Sequence, residues 1–435
     1  MKSSIAILLL VLSSLGQTAM GQKNLSLSTN TLSLHQAIEL GLANHPQLLR
    51  AQIEVEAAEA RIIQARSRFF PLIDLGGSAK QGLSGAGSAL ALKGLAGSPF
   101  PDDMAISANV TQTLYDFGRT KYGTTARRFE LAYLKESVSA RRAQIILKVI
   151  QAYFEVLQDR EAQGASREMV EEKRLMLKQS KSFFRTQLRS QLDVRRAEIN
   201  FSRAQLKLDR ASHQLEQTLA SLENAMGLKD PPSGYVLEKP KIEVVNPGSL
   251  KELLAEALEG RAELSAMQAQ IEATKYWLKK AESERYPHLK AALSIGWANF
   301  ANLSLDKLLF GGLGIQLPIF MGNLLSGNIE EARQDLERTN SINKELVNDV
   351  RLQVKKAYND LLSSQESVVV NQAITNQAQE ALKLARVRYR LDLSDFVEFT
   401  TSETILSTAE SDHTQALYNY KIKEAELKYA VGRLK

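Results

Sequence analysis

Two short runs carry the residues best placed for chemistry: Ser190 with Asp193, and the acids Asp392, Asp395 and Glu398. Ser190-x-x-Asp193 and Asp395-x-x-Glu398 share one spacing. A short polar residue followed three places on by an acid is a helix-start box, in which side chains and backbone amides satisfy one another. The acid also suits the positive end of the helix dipole. Other candidate chemistry is sparse. The five histidines, His35, His45, His213, His288 and His413, lack any H-E-x-x-H spacing, so no metal site is expected. The run "GAGSAL" near Gly85 lacks the third glycine of a dinucleotide fingerprint, and no G-x-x-x-x-G-K exists to bind a nucleotide. With no cysteine in the chain, disulfides, thiol chemistry and cysteine-metal sites are excluded. No catalytic constellation is present, so no enzyme activity, cofactor or metal is expected.

The elements that must position the acids begin after an export signal. Lys2 precedes the apolar run Ile5 to Leu12, and small residues follow at Ala19 and Gly21, which predicts a signal peptide over 1–21 with cleavage before Gln22. No later run offers the roughly eighteen apolar residues of a membrane-crossing helix. Entry into a bilayer would therefore require strands closed into a barrel. The net charge of +6 spread over 435 residues is weak, and basic pairs such as Arg127-Arg128 lie among acids, so nucleic acid is not an expected partner.

Proline and glycine divide the chain. The ten prolines leave two proline-free blocks, 102–230 and 319–435, where long helices can run. The chain also repeats. "SLHQAIELGLANHPQLLRAQ" from Ser33 aligns with "SLKELLAEALEGRAELSAMQ" from Ser249 at a spacing of 216, which also carries Pro71 onto Pro287. Gln112 and Gly118 match Gln316 and Gly322 at 204, and Ala152-Tyr153, Leu188, Glu198 and "NAMGL" find partners at 205. About twelve extra residues then fall in the glycine-rich loop "GGSAKQGLSGAGSALALKGLAGS" of the first copy. The expected first copy, 22–227, holds a helix over 33–68, strands near 70–78 and 105–115, and helices over 119–184 and 190–226. A linker over 228–248 leads to the second, 249–435, with a helix over 250–285, strands near 288–299 and 310–319, and helices over 323–390 and 395–431.

The expected strands alternate. Ile106, Ala108, Val110 and Leu114 would face one way, as would Leu289, Ala291, Leu293, Ile295 and Trp297, with small or polar residues between them. A half-buried soluble sheet would alternate too. Bilayer-crossing length, and Trp297, Phe300 and Phe310 at the loop end as an interfacial belt, favour a membrane. Gln112 interrupts the apolar face near one end. Val347, Val350, Val354, Ala357, Leu361, Ser364 and Val368 form a heptad stripe, echoed by Ile145, Val149, Ala152 and Val156. Four strands cannot close a barrel, for which about eight are the practical minimum, so the chain must oligomerise; dimer, trimer and tetramer all satisfy the arithmetic.

"LSLHQAIELGLANHPQL", the corners "QTLYDFGR" and "QLPIFMGN", "QAYFEVL" with "KAYNDLL", and "RYRLDLSDFVEFTTSE" with a closing "YAVG" resemble the TolC family of outer-membrane efflux proteins over essentially the whole chain from Leu32. The resemblance implies an α+β membrane protein: a homotrimer in the outer-membrane lipid, with a twelve-stranded β-barrel continuous with an α-helical coiled-coil barrel across the periplasm. It further implies docking on a periplasmic membrane-fusion adaptor and an inner-membrane pump of RND, ABC or MFS type, in drug, metal or protein export. The family's periplasmic tip maps onto 184–194 and 389–399. Asp193, Glu398, Asp392, Asp395 and Tyr389 become candidate gate residues there, and Arg185, Leu188, Ser190, Leu393 and Ser394 candidate adaptor contacts. Gly118, Pro318 and Gly322 become the barrel-to-helix corners. Capping and gating both remain open for Asp193 and Glu398. Thr401 stands where the family often has a second acid, and Ser394 where a basic partner would be expected. The competing readings are a periplasmic coiled-coil adaptor or scaffold, for which one hairpin between split β-domains would be expected, and an exported enzyme on a stalk, for which site residues are missing.

Overall fold

The computed structural model describes residues 31–81, 102–187, 190–228, 235–300, 303–391, 393–394 and 396–435. The expected signal peptide and the candidate residues Leu188, Asp392 and Asp395 lie outside them.

The first half runs α1 (Leu34–Asn44), α2 (Pro46–Arg66), β2 (Leu72–Gln81), β3 (Asp102–Tyr115), α3 (Arg119–Arg185) and α4 (Gln191–Met226). The second runs α5 (Leu250–Gly260), α6 (Ala262–Ser283), β5 (His288–Phe300), β6 (Leu303–Gln316), α7 (Leu324–Arg390) and α8 (Phe396–Val431). A two-residue strand β1 (Thr31–Leu32) pairs in parallel with β4 (Val236–Leu237).

Both of the short helices expected over 33–68 and 250–285 are broken. His45 is extended at ψ 121° because the following Pro46 disfavours the helical region, and it becomes the cap of α2, its Nδ1 accepting from the Gln47 amide at 3.2 Å. The second break, at Arg261 with ψ 124°, has no proline and follows Gly260. The breaks receive the ends of the long return helices. Gly227 closes α4 with φ 68° and lies against Asn44 and His45, and Gly432 follows α8 with φ 85° and lies against Gly260 and Arg261.

α3 and α7 are each 67 residues, about 100 Å if straight. Each folds back on its return helix as an antiparallel hairpin, and α3 also lies along α6 and α8. The expected seam is buried: Val350, Val354, Ala357, Leu361 and Val368 on α7, and Ile145, Val149, Ala152 and Val156 on α3. Each buried valine or leucine contributes roughly 1.5–3 kcal/mol. Tyr153 ties this core to the small sheet, its hydroxyl donating to the carbonyls of Leu32 at 3.0 Å and Glu238 at 2.7 Å.

The larger sheet is antiparallel in the order β2-β3-β5-β6. Its β6 begins at Leu303, seven residues before the expected start, and ends at Gln316, so Leu317 and Ile319 lie beyond it. β2 reaches Gln81, into the stretch read as loop. One face carries Ile73, Leu75, Ala108, Val110, Leu293, Ile295, Trp297 and Leu309 in register. On the other, Asn109 donates to Asp74 at 3.0 Å and Ser294 to Asn109 at 2.7 Å. Phe310 is registered with Ser294 on this polar face, so it does not join Trp297 in a belt. A bulge between Thr113 and Tyr115 changes the phase, placing Tyr115 rather than Leu114 opposite Leu289. Gln112 has a structural use: its Nε2 donates to the Phe69 carbonyl at 3.0 Å, tying β3 to the turn that enters β2. Among the described residues, β2 and β6 each have a bare outer edge, and no helix is long and apolar enough to cross a membrane.

Candidate functional site

The corners join sheet to helix through two successive left-handed residues. They are Phe117 and Gly118 in the first half (φ 51° and 89°) and Gly322 and Asn323 in the second (φ 58° and 66°). The corners therefore correspond at a spacing of 205, not the 204 that matches Gly118 to Gly322, and the long helices follow at the same spacing. The apolar strand faces agree, with Val110 matching Ile315 and Ala108 matching Leu313. Pro318 lies half-buried between β6 and α7. The first corner has a residue that sequence reasoning missed. Asp116 accepts from the Gly118 amide at 3.2 Å, the Thr120 amide at 2.8 Å and the Thr120 hydroxyl, so one carboxylate caps α3. Its signal was the aspartate itself, placed just ahead of a helix. Phe117 stacks on Tyr286 at 5.2 Å, and Arg119 meets Glu284 at 3.1 Å.

At the far end the hairpins turn. Arg185, exposed, is the last residue of α3, and Gln187 takes a left-handed φ of 61°. Ser190 and Asp193 form the reciprocal cap of α4. The Asp193 amide donates to Ser190 Oγ at 3.3 Å, and the Ser190 amide and hydroxyl donate to Asp193 Oδ2 at 3.2 and 2.9 Å. In the second turn Glu398, in the first turn of α8, receives Arg388 Nε at 3.1 Å. Arg388 thus supplies Glu398 with a basic partner from the end of α7, whereas the position at which the resemblance implies a basic residue holds Ser394. Leu393 is exposed and its amide donates to the Arg388 carbonyl at 2.9 Å; Ser394 is half-buried. Tyr389 and Phe399 stack with centroids 5.3 Å apart and planes 11° from parallel, clamping α7 to α8.

A third feature lies between the hairpins, short of the tip. Lys173 of α3 and Glu403 of α8 are both buried and meet at 3.0 Å, with Glu172 at 3.8 Å from the same ammonium. Burial and then the Glu172 carboxyl push Glu403 up to about 7, against the opposing pull of Lys173. Lys173 also lines a groove of about 650 Å³, together with Arg203 and Lys207 of α4 and Thr404 and Asp412 of α8. Sequence alignment paired Glu403 with Glu198 but assigned neither a role; the buried lysine gave no local signal.

A four-stranded sheet with one apolar face, bare edges and helices of this length describes one wall segment of a membrane channel. The comparisons agree. The family model described as outer membrane efflux protein matches residues 37–228 and 253–433. The chain belongs to the outer membrane efflux protein family: it is an outer-membrane efflux channel protein, a member of a channel family rather than an enzyme family. It is 22% identical to the outer membrane protein TolC of Salmonella enteritidis, over 97% of this chain and 85% of that one. The fold is shared with the outer membrane protein VceC of Vibrio cholerae (TM-score 0.77, 19% identity, 92% of this chain and 96% of that one). It is shared also with a membrane protein from Pseudomonas aeruginosa (TM-score 0.79, 19% identity, 92% of this chain and 90% of that one).

Proposed function

We propose that three copies assemble into a twelve-stranded barrel in the outer membrane, continuous with a tunnel of twelve long helices in the periplasm. The assembly conducts cargo passively, and the energy comes from an inner-membrane pump of RND, ABC or MFS type reached through a periplasmic adaptor. The observation that carries this reading is the four-stranded sheet with an apolar face and two bare edges, joined by the short corners 116–118 and 317–323 to 67-residue helices. Such an edge left open in lipid strands backbone groups at a cost of several kcal/mol each, which closure with other copies removes. The two copies of one unit, over 22–227 and 249–435, account for the paired hairpins.

The adaptor meets the turns at Arg185, Leu188, Ser190, Leu393 and Ser394. Glu398, with Asp392 and Asp395 near it, forms a three-fold acidic ring at the tunnel mouth and favours cations. Asp193 acts chiefly as a cap, and Tyr389 holds the turn in shape. No catalysis is part of this role. The test is fractionation: the protein should be extracted from outer membranes as a detergent-stable trimer. Recovery wholly in the soluble periplasmic fraction would overturn the channel assembly.

A further inference from the structure

The end of α2 and the start of the large sheet enclose a groove of about 740 Å³, a volume suited to one small organic molecule. Its walls are of two kinds. Ile63, Phe70, Pro71 and Leu72 give it an apolar side, while Arg66, Arg68 and Lys290 bring three bases to it, and no acid is among the described residues that line it. Arg66 stands in the last turn of α2, Arg68 in the turn over 67–69, and Lys290 on β5 opposite Thr113. All three are exposed, and among the described residues none has an acidic partner. Acids of the same corner are engaged elsewhere: Asp116 caps α3, and Glu284 meets Arg119 at 3.1 Å.

The groove opens on the polar face of the sheet. Leu72 is registered with Thr111 and Thr113 with Lys290, and strand alternation puts these four on the face that carries Asp74, Asn109 and Ser294. In a closed barrel that face is the lumen. The duplication shows that the bases are not demanded by the fold. The spacing of 216 carries Arg66 and Arg68 onto Glu282 and Glu284, and Asp74 onto Lys290, so each of these charges reverses between the halves. A turn of the same build therefore forms with acids in place of the arginines. Like charges gathered without partners repel one another, and a bound anion relieves the repulsion.

We propose that this groove is a lumenal binding site for a small amphiphilic organic anion. The apolar body lies against Ile63, Phe70 and Leu72, and the anionic group sits among Arg66, Arg68 and Lys290, where a guanidinium can hold it by two hydrogen bonds. The proposal rests on the channel reading above, which makes the polar face the lumen, and adds a site at the base of the barrel.

The probe is 2-naphthalenesulfonate, added to the full-length protein reconstituted in planar bilayers at about 0.1 M salt, where fixed charges are only partly screened. The open-channel current should fall reversibly. Uncharged 2-naphthalenemethanol and inorganic sulfate should each need about tenfold more for the same fall, a difference of about 1.4 kcal/mol, because each offers only half of what the groove recognises. Arg66→Gln, Arg68→Gln and Lys290→Gln combined should raise the half-blocking sulfonate concentration by about tenfold or more, with trimeric mass in detergent confirmed by light scattering. Where the triple variant fails to assemble, Lys290→Gln alone should raise it by about threefold, the effect of one exposed charge. Equal block of wild type and variants, or equal block by the alcohol, overturns the site and leaves the channel standing. Equal block by inorganic sulfate overturns the amphiphile and reduces the groove to a basic collar. A wild-type protein that is monomeric by mass and forms no channels overturns the channel reading and the site with it.

Discussion

Glu198 and Glu403 lie 205 residues apart at corresponding places on α4 and α8, and their carboxyl groups are held in opposite ways. Glu198 is on the surface between Lys181 at 3.2 Å and Arg195 at 2.9 Å, and these two partners hold it below the usual carboxylate range. Glu403 is buried against Lys173 and pushed up to about 7. The difference is topological: α8 lies along α3 of the other hairpin as well as along α7, whereas α4 packs chiefly on α3 and α1 of its own half.

Glu403 should therefore give stability a pH dependence of unusual sign. Its folded-state value lies above the ordinary carboxylate value, so the folded protein binds the extra proton. The stabilisation is complete below the unfolded value and is lost as pH rises through about 7. The thermal midpoint in detergent should fall between about pH 5 and about pH 8, and Glu403→Gln should flatten that slope. Lys173→Met leaves the acid without its counter-charge, and removing one partner of a buried pair costs about 3–5 kcal/mol, most visibly at the alkaline end. Identical midpoint-against-pH curves for the wild type and Glu403→Gln would refute the assignment.

The first corner depends on Asp116. Its carboxylate satisfies two amides and a hydroxyl at the start of α3, and losing such a cap costs about 0.5–2 kcal/mol. Asp116→Ala should lower the thermal midpoint by a few degrees, whereas Asp116→Asn, which keeps an acceptor, should recover much of the loss. Equal midpoints for all three proteins would show that the helix dipole and packing suffice without the cap.

The framework was legible because it rests on period and punctuation. Alternation over Leu289–Trp297 and the valine stripe from Val350 to Val368 follow from which face is buried, and proline-free blocks mark where long helices run. The breaks at His45 and Arg261 were harder. Pro46 was a visible warning, but Arg261 breaks its helix where Gly432 packs, a contact with a residue 171 positions later. The corner register was misread by one because a glycine was matched to a glycine. The backbone needs two left-handed residues in a row, and the glycine takes the second place in one corner and the first in the other. At the tip, the capping role of Asp193 was readable from local spacing, whereas the Arg388–Glu398 pair forms only when α8 folds back on α7.

Gly227 and Gly432 should tolerate no side chain. A Cβ on Gly227 would approach the Asn44 carbonyl and the His45 Cα to 2.9 Å, and one on Gly432 would approach the Gly260 oxygen to 3.0 Å. Both have positive φ, which costs a non-glycine residue about 1–2 kcal/mol before any clash. Gly227→Ala and Gly432→Ala should each reduce the yield of folded protein in the outer membrane, and the double variant should be worse. Wild-type yield and midpoint for either single variant would mean that the helix end can move away at little cost.

Arg388 and Glu398 can be tested for conduction separately from stability. Their 3.1 Å pair is exposed, and exposed pairs contribute about 0–1 kcal/mol, so neither Arg388→Ala nor Glu398→Gln should shift the thermal midpoint appreciably. Each should change the ion preference of reconstituted channels. Removing the guanidinium leaves more negative charge at the mouth, so Arg388→Ala should raise cation preference, and Glu398→Gln should lower it. Both effects should shrink as salt rises from about 0.1 M to about 1 M, because the Debye length falls from about 10 Å to about 3 Å. The measurement is the reversal potential in a potassium chloride gradient. Shifts in opposite directions at unchanged stability support an acidic mouth; reversal potentials equal to the wild type in both variants would restrict Glu398 to holding the turn between α7 and α8.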